Sequence, residues 1–146
     1  MTRPAYGKGL IAGLIATVVL SALMVIKGMM GMMPALNVPK MLGHMSGGGP
    51  MAGWIAHFVI GTVIWGLLFA AIYNFIPARN GWLKGAIFSI GAWLIMMIVV
   101  MPMAGAGLFG SAMGLPAPIM TLVLHLVFGV VLGAVYAGMT RQVVER

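Results

Sequence analysis

Apolar residues fill four long runs of this chain, and Pro, Gly and the few charged residues gather between them. The runs cover about residues 9–26, 51–75, 82–101 and 118–140. A helix needs about 20 apolar residues to cross a bilayer, so the pattern predicts four membrane-spanning helices. Pro50 suits the first turn of the second run, Pro77 stops it, and Pro102 marks the end of the third. The first connection, from Lys27 to Pro50, is rich in Met and broken by Pro34 and Pro39. It predicts an interfacial segment with one short helix around Lys40 to His44. The connection from Ile76 to Trp82 is short and polar, and that from Met103 to Ala117 is rich in Gly and Ala without any charge.

Two of these runs echo each other. Residues from Pro50 read PMAGWIAHFVIGTVIWGLLFA, and those from Pro118 read PIMTLVLHLVFGVVLGAVYA. Without a gap, His57 meets His125 and Gly61 meets Gly129. A slip of one residue after Ile64 then pairs Gly66 with Gly133 and Phe69 with Tyr136. Pro and His are scarce here, so their match carries more weight than that of the valines. The chain reads as one domain, residues 1–146, built from two tandem helical hairpins of about 8–76 and 82–140. Lys8 and Gly9 open the first copy much as Lys84 and Gly85 open the second. That counterpart argues that the N-terminal run is a retained span, not a cleaved signal.

Composition sets the class. The chain is 62% hydrophobic and 6% charged, against about 25% charged in a soluble domain, so it reads as an integral membrane protein. Its net charge of +7 comes from eight basic residues against one acid, Glu145. The basic residues sit singly at the ends of apolar runs, which suits anchoring and orientation rather than nucleic acid. Arg3, Lys8, Arg79, Lys84, Arg141 and Arg146 share one side, leaving Lys27 and Lys40 on the other. Both termini are therefore expected in the cytoplasm, with a bacterial inner membrane as the setting. The absence of Cys excludes thiol chemistry and thiolate metal sites.

Candidate chemistry is sparse. His57 and His125 each lie about seven residues into a span, roughly 10 Å from its end. Ionisable residues at that depth are functional or paired within the protein. Gly61 and Gly129, four residues on, share the face of each His and leave a groove beside it. The groove admits either a flat cofactor or a close neighbouring helix. The imidazoles can ligate haem b or copper, hold a quinone head group, or simply bond a backbone carbonyl across a helix interface. On the first connection, Met41, His44 and Met45 form a weaker soft-metal candidate, with Met as flexible filler the competing reading. Gly9 and Gly13, Gly81 and Gly85, and Gly129 and Gly133 have the spacing that lets membrane helices approach closely. No acid lies in any span, and no nucleophile–base set or phosphate loop occurs, so the chain is not expected to be an enzyme by itself.

The repeated Pro-x6-His-x3-Gly element, Pro50 to Gly61 and Pro118 to Gly129, resembles that of a family of small, uncharacterised, four-span prokaryotic membrane proteins. The resemblance implies an all-α four-helix bundle and assigns no catalytic residue. The leading expectation is an accessory subunit of a larger membrane complex, respiratory or otherwise electron-transferring, in contact with the lipid bilayer and other membrane subunits. A small haem- or copper-binding protein using His57 and His125 is the alternative, and an oligomeric solute channel or transporter the third.

Overall fold

The computed structural model describes residues 3–144; Glu145 and Arg146 of the polar tail lie outside them. The chain is all helix and turn, with no strand among the described residues. Helix α1 spans Tyr6–Met29, α2 spans Val38–Ser46, α3 spans Gly49–Ile72, α4 spans Gly81–Met103 and α5 spans Pro116–Val144. All but α2 are long and apolar enough to cross a membrane, so this is a multi-pass membrane protein that meets lipid along its outer faces. The N-terminal end of α1 and the C-terminal end of α5 lie at one end, because Lys8 Nζ donates to Met139 O at 2.7 Å. We call that end proximal and the other distal.

Two helix pairs pack through glycine. A Cβ on Gly13 of α1 would stand 2.8 Å from the carbonyl oxygen of Thr62 in α3, and Gly9 faces Gly66 as tightly. In the second pair, Gly85 and Gly81 of α4 meet Gly129 and Gly133 of α5, backbone on backbone. Bare backbone at these positions is what brings the axes together in lipid, where dispersion replaces the hydrophobic drive. α1 also packs along α5, joining the pairs, whereas the backbones of α3 and α4 barely approach one another. Side chains fill the space between those two at the proximal end. Phe69 packs on Phe88 at 5.2 Å and on Tyr136 at 5.6 Å, Trp65 on Phe88 at 5.8 Å, and Tyr73 on Tyr136 at 4.8 Å. These contacts, edge-on except for the tilted Tyr73–Tyr136 pair, make a continuous aromatic plug.

Both α3 and α4 contain a widened, π-helical stretch, at Val59–Trp65 and Met96–Val100. A π turn is how a helix absorbs one extra residue. The stretch in α3 includes Ile64, where the echo with α5 needs its slip of one residue, and it keeps both Gly61 and Gly66 facing α1. In α4 the widened stretch precedes Pro102 and lets the helix run on to Met103 rather than stop at Met101. A proline ring clashes with the carbonyl four residues back, and the wider turn relieves that clash. α3 ends at Ile72, before turns that lead to Pro77.

The distal end is closed by the connections. Asn37 caps α2, its side chain accepting from Lys40 N at 3.0 Å, and Gly47 ends it in the left-handed conformation. α2 lies against α3 with Gly43 on Gly49 and Gly53 on the Pro39 carbonyl. The last connection forms two short 3-10 turns within Leu108–Met113, kinked at Phe109 and Gly110, where φ is positive. Leu36, Met96, Met97, Met101 and Ala106 form a buried distal cluster, with Met33, Met41, Met113 and Met120 packed around it.

Candidate functional site

Between the aromatic plug and the distal connections lies a cavity of about 120 Å³ bordered by all four spans. α1 contributes Thr17, Leu20, Met24 and Lys27, which recur at a spacing of three and four and so share one helical face. α3 contributes His57 and Gly61, α4 contributes Ala92 and Met96, and α5 contributes Leu124 and His125. Leu36, Val38 and Leu42 of the first connection border its distal end. The two histidines, one from each hairpin, thus stand on a single cavity.

Each imidazole is held by one ring nitrogen. His125 Nδ1 lies 2.8 Å from Thr121 O, and a carbonyl can only accept, so Nδ1 carries the proton. In the neutral ring the lone pair is then on Nε2. His57, buried and edge-on to Trp54 at 5.8 Å, lies with Nε2 3.2 Å from Ser21 Oγ. Ser21 donates its own proton to Thr17 O at 2.7 Å, so its oxygen accepts from His57 Nε2. The lone pair of His57 is left on Nδ1, and neither uncommitted nitrogen has a hydrogen bond among the described residues. The site presents two neutral acceptors in an apolar setting.

The rest of its polar framework is satisfied internally. Thr17 Oγ1 donates to Gly13 O at 2.7 Å, Thr121 Oγ1 to Ala117 O at 2.9 Å, and Trp93 Nε1 to Thr121 Oγ1 at 3.1 Å. Lys27 is buried, and its ammonium donates to three carbonyls of the loop that follows: Leu36 O at 2.7 Å, Met32 O at 3.0 Å and Met33 O at 3.1 Å. Three protons meet three acceptors at a helix C-terminus, where a cation is favoured. Met33 adopts a φ of 46° within this wrap.

The glycines beside the histidines have gone to helix packing. Gly61 is covered by the Thr17 side chain, though it still borders the cavity; Gly129 is covered by Gly85 and Ser89 and does not. Of the loop candidates, Met41 packs on the distal cluster, whereas His44 and Met45 are exposed. No group of three or more His, Cys, Asp or Glu side chains placed to hold a metal occurs among the described residues. Ser21, Met24 and Met96 are the site residues that sequence reasoning missed. The spacing of Thr17, Ser21 and Met24 on one face of an apolar run was the available signal.

No curated protein and no solved structure matches the chain. A protein-family model matches residues 4–145, nearly the whole length, and the chain therefore belongs to that family, a family of unknown function (DUF6789).

Proposed function

We propose that this protein is a non-catalytic membrane binding protein, that its site is the cavity shared by His57 and His125, and that it serves as an accessory component of a larger membrane assembly. One observation carries the reading: histidines from two different hairpins border one apolar cavity, each with one ring nitrogen fixed and the other uncommitted. The ligand is a small one. Cavities for cofactor-sized molecules run to about 300 Å³ or more, so about 120 Å³ is small for haem b. Ser21 also holds the His57 nitrogen, Nε2, that points farthest from the backbone. The aromatic plug in the proximal half favours binding over conduction. A shallow apolar groove at the start of α5, formed by Leu115 just before the helix and by Ile119 and Val123 on it, supports the reading that a partner helix joins the bundle.

The same proposal holds that the chain is a tandem duplication. The Pro-x6-His-x3-Gly echo, the glycine contacts within each hairpin and the π turn at the slip all support it. The basic residues at the proximal end support cytoplasmic termini in a prokaryotic inner membrane, and a respiratory or electron-transfer complex is the assembly we favour. The chain has no cysteine, so topology is testable by single-site labelling. Ser46→Cys should react with an impermeant maleimide on intact spheroplasts and Arg79→Cys only after lysis; the reverse pattern would invert the orientation.

The functional test is a mild-detergent pull-down of the tagged chain from its native membrane, with metals, small ligands and proteins all analysed. Wild type should bring down a ligand and partner subunits, and His125→Ala should keep the partners while losing the ligand. Wild type eluting alone and empty would sink the proposal.

A further inference from the structure

Met24 and Met96 border the same cavity as the two histidines. We infer that the cavity is a monovalent copper site, with the imidazoles of His57 and His125 and the thioethers of Met24 and Met96 as its donors. This rests on the binding reading above and names the ligand for it. Every donor in the set is neutral, and two are soft. Thioethers select Cu(I), and imidazole binds it as well. Hard divalent cations want carboxylate oxygens, and Glu145, the sole acid of the chain, lies beyond the described residues. A single positive charge is also the smallest electrostatic load to bring into an apolar cavity.

The way each ring is held suits ligation. Metal-bound His characteristically donates its other N–H to a carbonyl or another polar group, which fixes tautomer and orientation. His125 does this through Thr121 O and His57 through Ser21 Oγ. Lys27 also borders the cavity, but its ammonium is engaged by three carbonyls of its own loop. Met96 belongs to the buried distal cluster too, together with Met97 and Met101. Exposed Met29 and Met32 lie beyond it at the distal end. Met33, Met41, Met113 and Met120 pack on that cluster, so thioethers are gathered on the distal side of the cavity.

The test is anaerobic titration of detergent-purified full-length protein with Cu(I) against a chromophoric Cu(I) chelator, followed by X-ray absorption at the copper edge. Thermal unfolding with a short-chain hydroquinone, a donor ligand of similar size, is measured in parallel. Wild type should take one Cu(I) per chain with both nitrogen and sulfur neighbours. The pair Met24→Leu and Met96→Leu keeps the volume of the cavity, and should abolish the sulfur signal while leaving unfolding temperature unchanged. Ser21→Ala, which only positions His57, should weaken binding by about 10–100-fold. Absence of Cu(I) binding with stabilisation by hydroquinone would overturn the copper assignment and leave the cavity a binding site. Absence of both would overturn the binding reading as well. Cu(I) binding that survives both Met24→Leu/Met96→Leu and His125→Ala would place the metal elsewhere and overturn the inference.

Discussion

Replacing Lys27 by Met should lower the stability of the detergent-solubilised protein by about 2–4 kcal/mol. A buried acceptor left without its hydrogen bond costs about 1–3 kcal/mol, and three carbonyls lose their donor at once. Water entering at the membrane surface recovers part of that. The loop from Met30 to Asn37 should then loosen, because its wrap around the ammonium, with Met33 at a left-handed φ, has no other charged centre. Thermal unfolding measures the first effect, and faster amide exchange across the loop measures the second. Lys27→Arg should restore only part of either, since a planar guanidinium cannot aim at three carbonyls that converge on a point-like ammonium. An unchanged unfolding temperature with an unchanged exchange profile would show that the carbonyls do not depend on Lys27.

Gly85→Ala should separate α4 from α5 and cost at least about 1–3 kcal/mol, the range for overpacking a tight contact. A side chain at Gly85 runs into the Gly129 carbonyl, which cannot swing aside as a flexible side chain can. Gly91 is the matched control. It lies on the same helix with nothing within 4 Å of where its Cβ would stand. Gly91→Ala should be neutral or stabilising by about 0.5–1 kcal/mol, because it removes only the conformational freedom of glycine. Equal effects from the two substitutions would mean that helix propensity, not close approach, governs these positions.

Spans were legible because the hydrocarbon core imposes a length and forbids charge, and both constraints are written directly in residue order. His57 and His125 were legible as equivalents in depth. Their meeting on one cavity was not, because that depends on the rotation of α3 and α5 about their own axes, and each glycine face admitted two occupants. The structure puts a helix on both faces. The slip at Ile64 was visible as a slip; that it is a widened turn holding Gly61 and Gly66 in register required the backbone. Ser21 was overlooked because a lone hydroxyl in an apolar run usually bonds its own helix. Ser21 does donate there, to Thr17 O, and still has an oxygen to offer His57. Lys27 read as a surface anchor because basic residues near span ends usually are; its burial follows from a loop that folds back over it.

The proximal contacts also bear on how the protein is made. Lys8 near the start of α1 reaches Met139 O, and Ala5 N donates to Tyr136 Oη at 3.2 Å, both across 131 positions of chain. Lys84 at the start of α4 caps Tyr73 O at 2.7 Å and stands 4.5 Å above that ring. During synthesis α1 therefore emerges with a cation and a backbone donor whose partners are translated 131 residues later. Until α5 arrives, the first hairpin is held by its glycine contacts and the Ser21–His57 bond, and Lys8 is without its carbonyl partner. Helix α5 acts as a clasp, so that a nascent chain becomes a closed bundle only once α5 is made, and a chain cut short before α5 is left open for quality control to recognise.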